Sequence, residues 1–476
     1  MQAIKNYLKE QDDFYSIIHG VSSGINEQLV AGLSGSARSM LASLISESMN
    51  KRILLITHQL IQAQQLYEDL VEISDNDNVH LYPVNELIAS EIAVASPELK
   101  SQRIDAITNW LKHDTGILIA PVAALKRVLP PKSYWESYQL DFQIGEIIQI
   151  EKYLNSLIDM GYQRVDMVTT PGEFSIRGGI IDIYTLTEQN PVRIELFDDE
   201  VDSIRYFDSE TQRSLDKIDK VTVMPAEELL LTKEDKLTGA QRLENQLGAS
   251  LKKIKNGEDK QSLAELIGYD IERLNQQERF QEMYKYGFYF YEKPASLLDY
   301  LPADGLIILD EMSRIQETAL RLDEEEAEWH QSLVESNQMV RDFSISYDWH
   351  DVWGKMKQPR LYLSVFLRHI ANTNPQNIVN VSCRAMQQFH GQMNLLQGEF
   401  TRWNNSDFSV IILAPNENRA DKIQSVLDDY DMEAVIAKDT ISLPVKKPTI
   451  IINNISSGFE LPMHKLAVIT ENELFK

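Results

Sequence analysis

The chain has 476 residues, 43% of them hydrophobic and 25% charged, which excludes global disorder and, at roughly 100–200 residues per domain, a single small module. Its 72 acidic and 46 basic residues leave a net charge of −26, so the long-range field repels phosphate backbones and anionic membranes and disfavours nucleic-acid binding by the chain as a whole. A local basic patch stays open, because the Debye length is only about 8 Å at physiological salt.

In chain order, the first 130 residues alternate short apolar strands with helical patterns, as in Lys51–Thr57 followed by an amphipathic segment from Gln59 to Ile73. This is the rhythm of a parallel α/β sheet. The most apolar stretch, Gly116–Leu125, has about half the ~20 residues of a membrane-spanning helix, and reads as a buried strand running into a helix. Pro130-Pro131 then punctuates the chain, so a first domain is expected over 1–133 and a second over 134–223, where strands of period two take over. There Glu173–Tyr184 reads as two strands around a bend at Gly178-Gly179. Val192, Ile194 and Leu196 share one face of the next strand, which the acidic turn Asp198-Asp199-Glu200 joins to Ser203–Phe207 in an antiparallel hairpin.

Residues 224–350 begin polar and helix-forming, and then Gly305–Glu311 returns to a buried-strand pattern. The chain is therefore expected to re-enter its first domain, with the second as an insertion. The run Asp323-Glu324-Glu325-Glu326-Ala327-Glu328 reads as a solvated helix face. Over 351–465 a strand at Phe408–Ala414, a helix from Arg419 to Asp429 and a strand at Thr449–Ile452 predict a third compact unit. Residues 466–476 end on an apolar pattern and read as the start of a linker in a chain cut from something longer. The expected fold class is α/β: a parallel-sheet domain like that of the phosphate-loop NTPases, with an inserted small antiparallel α+β domain and a separate small α/β domain after it.

The sharpest constellation is Gly32-Leu33-Ser34-Gly35-Ser36-Ala37-Arg38-Ser39, which overlays the phosphate-loop pattern G-x-x-x-x-G-K-[ST] with Ala37 and Arg38 in place of glycine and lysine. In a working loop the second glycine lets backbone N–H groups curl around phosphates, while a compact ammonium reaches the terminal pair. A methyl group in the turn and a planar guanidinium oppose both requirements. Its partner is the apolar strand ending in Asp310-Glu311, where a helicase-like ATPase holds magnesium and positions water; both would lie at the carboxyl edge of one parallel sheet. The pair reads as an inherited scaffold without a cofactor, and an active helicase-like ATPase is the competing reading.

No other pattern competes for catalysis. None of the nine histidines lies three or four residues from another, so a metal site has no local support. The single cysteine, Cys383, cannot form an internal disulfide and reads as a small buried residue. The first residues, Met1–Lys5, lack the apolar core of a secretion signal, and the expected compartment is the cytoplasm.

Several runs carry a resemblance to a known family. They are Tyr82-Pro83-Val84-Asn85-Glu86, Ser96-Pro97-Glu98-Leu99 and Ala120–Leu125, then, most specifically, Pro171-Gly172-Glu173-Phe174 through Ile176-Arg177-Gly178-Gly179 to Arg193–Arg205 and Thr211-Gln212-Arg213. Leu309-Asp310-Glu311 with Ser313-Arg314-Ile315, and Leu466–Glu471, complete the match. Essentially the whole chain resembles the amino-terminal portion of the bacterial transcription-repair coupling factors, whose first domains are similar to the excision-repair protein UvrB. The resemblance implies a UvrB-like fold with a lost ATP site at Gly32, Gly35, Ala37, Arg38 and Ser39 and at Asp310 and Glu311. It implies an inserted domain that binds UvrA, with Arg164, Arg177 and Tyr184 at matching positions. RNA polymerase, DNA and the motor domains would be met by, or lie in, parts of such a factor that this chain lacks, and no membrane is involved. The module would recruit UvrA and help to hold the motor inactive. A structural alternative for Arg177 is an ion pair with Glu195 on its own sheet.

Overall fold

Strands that are apolar on both sides must be covered on both faces, and the first sheet obeys this residue by residue. The computed structural model describes residues 1–74, 78–85, 96–437 and 441–476; Glu86 of the Tyr82–Glu86 run lies outside them. The sheet begins with β1 (Glu27–Ala31), β2 (Arg52–Thr57), β3 (Val79–Leu81) and β4 (Gly116–Pro121). Along β2, Leu54 and Ile56 enter one apolar core while Ile53 and Leu55 enter another, and β4 repeats the split with Leu118 and Ala120 against Ile117 and Ile119. The helix Pro97–Lys112 starts where Ser96 accepts the Leu99 N–H at 3.4 Å with proline at the first helical position, the expected signature of a helix start.

The chain then builds a separate antiparallel unit. It comprises β5 (Leu140–Gln143), β6 (Gln163–Arg164), β7 (Glu173–Arg177), β8 (Ile180–Ile183), β9 (Val192–Phe197), β10 (Glu200–Phe207), β11 (Ser214–Ile218) and β12 (Lys220–Val223). Six of these order as β11-β10-β9-β8-β7-β6, and β12 pairs with β5. Only β6 and β7 run parallel. The predicted bend at Gly178-Gly179 and the hairpin at Asp198-Asp199 are both present, Glu200 already being the first residue of β10. Phe174, Ile181, Ile183, Val192, Ile194 and Ile204 form this unit's own core.

Two long helices follow, Lys233–Lys253 and Gly257–Asn275, and pack with residues 283–291 and 339–345 into a helical cluster. The first is stopped from fraying by a capping box in which Thr232 and Asp235 satisfy each other's backbone N–H groups. The chain then returns to the first sheet with β13 (Leu306–Asp310), β14 (Arg360–Ser364) and β15 (Asn377–Asn380). The completed order is β15-β1-β14-β13-β2-β4-β3, all parallel.

Two sequence expectations change here. The third unit does not begin near 351, because β14 and β15 flank β1 in the first sheet; strand period reveals that a segment is buried, not which sheet buries it. The third sheet is β16 (Arg384–Ala385), β17 (Ser409–Ala414), β18 (Val435–Ile436), β19 (Thr449–Ile452), β20 (Phe459–Leu461) and β21 (Leu466–Thr470), ordered β16-β20-β21-β17-β19-β18. Residues 466–476 are therefore no linker: β21 lies inside this sheet, paired to both β17 and β20. The unit has its own sheet, as expected, but packs closely on the first domain. Ile411, Leu413, Phe459, Leu461, Leu466 and Val468 share one core with Ala37, Met40, Leu41 and Leu44 of the helix Ala37–Met49, while Val410, Ile412, Ala467 and Ile469 face the opposite side.

The acidic run is likewise only partly solvated. It lies on the helix Met312–Glu335, where Glu324, Glu325 and Glu328 are exposed. Asp323 pairs with the buried Lys126 ammonium, and Glu326 stands 3.9 Å from it. Helical period places Asp323 and Glu326 three residues apart on one face, and a lysine on a distant segment turns that face inward.

A buried ionic node fixes the junction where the inserted unit leaves and the chain returns. Glu228 accepts hydrogen bonds from Tyr82 at 2.6 Å, Arg103 at 2.8 Å and Arg127 at 3.1 Å. Burial pushes its carboxyl up, but the two guanidinium charges and the tyrosine hydroxyl outweigh burial and hold it below its ordinary 4.5. Its contribution to stability is thus complete above that ordinary value and is lost as pH falls through the lowered folded value. Glu228→Ala is expected to cost about 3–5 kcal/mol in urea unfolding, and Glu228→Gln to flatten the acid limb of the stability profile.

Candidate functional site

The phosphate-loop motif and the Asp-Glu strand end do meet, at the carboxyl edge of the first sheet. β1 ends at Ala31, and Gly32 and Gly35 turn the chain with φ of 95° and 56° into the helix Ala37–Met49. At Gly32 a Cβ would stand 2.0 Å from the Val381 carbonyl oxygen, so only glycine fits. Asp310 ends β13, two strands from β1, and Glu311 follows at φ 61°.

Arg38 occupies the space between them. Its guanidinium forks, one nitrogen donating to Asp310 and the other to Glu311 at 2.6 Å, while Nε donates to the Leu33 carbonyl at 3.0 Å. Glu311 also accepts the Val365 N–H at 2.7 Å. All three side chains are almost wholly buried. Arg38 is the cation both carboxylates share, and half-exposed Arg368 stands 3.9 Å from the other oxygen of Glu311. Burial, aided by repulsion from Glu311, pushes the Asp310 carboxyl up despite Arg38. Arg38 is itself held above its ordinary value, its two carboxylates outweighing burial.

The remaining groups of the motif are engaged as well. The N–H groups of Ala37 and Arg38 donate to the loop's own carbonyls, Ser34 and Gly35, each at 3.3 Å. The Ser39 hydroxyl, which in a working loop would meet magnesium, donates to Asp69 at 3.3 Å. A loop of the third sheet, Ser456-Ser457-Gly458, lies over the turn. Ser457 N donates to Ser36 Oγ at 3.1 Å, and Ser456 gives its N–H and hydroxyl to Asp69 at 2.6 and 3.0 Å. A Cβ at Gly35 would stand 2.7 Å from Ser457 Oγ. Asp69 and the serine loop escape sequence reading, since the first lies 30 residues and the second more than 400 from the motif and neither has a signature of its own.

Half-buried Cys383 sits beside the same turn, its sulfur 3.4 Å from Ser34 Oγ, and burial pushes its thiol up. Among the described residues no group of three or more His, Cys, Asp or Glu side chains could hold a metal ion, and no helix is long and apolar enough to cross a membrane.

The three residues expected to dock a partner lie on the antiparallel unit but do not form one cluster. Arg177 and Tyr184 share the outer face at opposite ends of the β7–β8 hairpin, about 13 Å apart along the strands. Register puts Arg164, exposed on the edge strand β6, level with Phe174 and so on the other side. Arg177 is half exposed and donates to Asp182 at 3.1 Å rather than to Glu195, which is held by Arg205 and Ser203. Asp182 is buried and also takes a forked pair of bonds from Arg193 at 2.7 and 2.9 Å. The ion pair with Arg177 thus uses one nitrogen and leaves the rest of the guanidinium to solvent. Tyr184 donates to the Gln189 carbonyl at 2.8 Å.

Comparison with known proteins matches residues 140–229, the antiparallel unit, to the UvrB interaction domain family, and residues 403–474 to the family described as "MFD, D3 domain". The chain is 50% identical over all 476 residues to the transcription-repair-coupling factor of Bacillus subtilis, covering 40% of that protein. It is 36% identical over 460 residues to the factor of Staphylococcus haemolyticus, and 35% over 477 to that of Staphylococcus aureus, covering 94% and 98% of this chain and 38% and 40% of theirs. The chain spans about two-fifths of the length of these relatives.

The fork at Arg38 is the element most exposed to substitution. Arg38→Ala removes the cation that buried Asp310 and Glu311 share and is expected to lower unfolding free energy by about 3–5 kcal/mol. Arg38→Lys, which keeps the charge but cannot fork, should fall between it and wild type in the same urea titration.

Proposed function

We propose that this chain, related along its whole length to the transcription-repair-coupling factors, is the portion of such a factor that recruits UvrA and carries no catalytic activity of its own. The observation that carries the reading is the coincidence of the UvrB interaction domain match with a unit that has its own core and turns Arg177 and Arg164 to solvent. An arginine can fork onto a partner carboxylate while its stem covers apolar surface, and Arg and Tyr are enriched among the residues that dominate interfaces. Arg164, Arg177 and Tyr184 supply the contacts. RNA polymerase, DNA and the ATP-driven motor are engaged through other parts of the full-length factor, and this module helps to hold the motor inactive until UvrA arrives. It works in the cytoplasm, without membrane or cofactor.

The Arg38 fork and the serine loop over the turn support the noncatalytic part of the reading. A nucleotide would have to displace the Arg38 fork and the serine loop together, exposing two buried carboxylates to triphosphate charge. Calorimetry with magnesium and ATP is expected to find no micromolar affinity in wild type or in Asp310→Asn. The reversion Ala37→Gly with Arg38→Lys should not restore it while Ser456-Ser457-Gly458 covers the turn.

For the docking reading, Arg164→Ala and Arg177→Ala should each weaken UvrA binding by about 2 kcal/mol with little change in melting temperature. Unaltered affinity in both variants, or a loss that only follows unfolding, counts against it.

A further inference from the structure

Strand alternation sorts β9 cleanly. Val192, Ile194 and Leu196 turn into the unit's core or against it, and Arg193, Glu195 and Phe197 turn out. Arg193 and Glu195 are satisfied by Asp182, Ser203 and Arg205. Phe197 is left 74% exposed. Across the hairpin its register partner is Glu200, and the bridge partner of Glu200 is Ile147, 76% exposed. Two of the four large apolar side chains more than 70% exposed among the described residues thus stand in one cross-strand row.

That row adjoins Arg177. Ile180 pairs with both Arg177 and Glu195, so Phe197, two residues beyond Glu195, lies at the same end of the sheet and on the same face as Arg177. Between them the Gly178-Gly179 bend carries no side chain, and a Cβ at Gly178 would meet nothing within 4 Å. Single exposed apolar residues are ordinary on protein surfaces. An aromatic and an isoleucine aligned at a hairpin tip beside a half-free arginine make a surface with an apolar centre. The surroundings are acidic: Glu200 stands in the row between Phe197 and Ile147, and Glu146, Asp198, Asp199 and Asp202 next to these residues in the chain are exposed too.

We propose that Phe197 and Ile147 are the apolar anchor of the surface by which this unit docks its partner, and that the partner meets them with an apolar socket rimmed by basic side chains. The inference rests on the reading that the unit binds UvrA, and deepens it. The acidic surroundings oppose DNA and make a second copy of this chain a poor fit, because its own net charge is −26. Arg177 is then the cationic edge of a mainly acidic patch, and Phe197 its centre.

The test is calorimetric titration of UvrA into the full chain, with Phe197→Ser, Ile147→Ser, Asp199→Lys and Arg177→Ala measured beside wild type. Because Phe197 and Ile147 are largely exposed, their serine variants should melt with wild type. Phe197→Ser is expected to weaken binding tenfold or more, Ile147→Ser by less, and Asp199→Lys to slow association at low salt. If Arg177→Ala loses affinity while both serine variants stay within twofold of wild type, the anchor is wrong and the docking reading stands. If wild type does not bind UvrA, the reading fails and the anchor with it. Tighter binding by Asp199→Lys would overturn the basic rim. Sedimentation of the chain alone gives one further outcome: self-association abolished by Phe197→Ser would identify the occupant as a second copy and overturn the proposed partner.

Discussion

One guanidinium between two buried carboxylates organises the first domain. Asp310 and Glu311 end a strand in the middle of a sheet buried on both faces, and charges removed from water there are tolerable only when paired. Arg38 pairs with both while its Nε holds the Leu33 carbonyl, so the turn after β1 and the end of β13 are fastened at their closest approach. In an ATPase of this architecture the same space belongs to phosphate and magnesium, a charge pattern supplied from outside and withdrawn at each turnover. A covalently attached cation turns a transient arrangement into a permanent one.

The third sheet depends on that permanence. Its loop Ser456-Ser457-Gly458 lies where the turn would otherwise open, and Asp69 on the helix Leu60–Ile73 receives two of its hydrogen bonds. Behind the loop, one face of the third sheet shares an apolar core with the helix that begins at Ala37. A loop bonded over the turn and a sheet packed on the helix behind it leave the end of β1 covered by the protein itself. The altered motif and the docked third unit are two sides of one structural commitment.

The antiparallel unit follows a different logic. Its core is its own, and its outer face holds buried Asp182 between Arg193 and Arg177. Arg193 satisfies the aspartate with two bonds, so the single bond from Arg177 is dispensable to the fold and its guanidinium keeps donors for another molecule. Rigid support beneath a partly free cation is what a docking surface requires, since little ordering has to be lost on binding. The net charge of −26 discourages nonspecific attraction to nucleic acid.

Much of this was legible in the sequence, for reasons that can be located. Two-residue period and the Gly-Gly bend identified β7 to β10 because alternation is a local property of a half-buried strand. Ala37 and Arg38 marked an altered phosphate loop because that turn demands particular residues at particular spacing. Sheet membership was another matter: β14, β15 and β21 look alike as apolar runs, and only hydrogen-bond partners tens to hundreds of residues away assign the first two to one sheet and the third to another. The inward turn of Asp323 toward Lys126 and the seating of Ser456 on Asp69 share that cause, whereas Arg177 meets Asp182 within one hairpin. Local pattern encodes whether a side chain is buried, whereas the identity of its partner is set by long-range packing, and only the folded chain decided it.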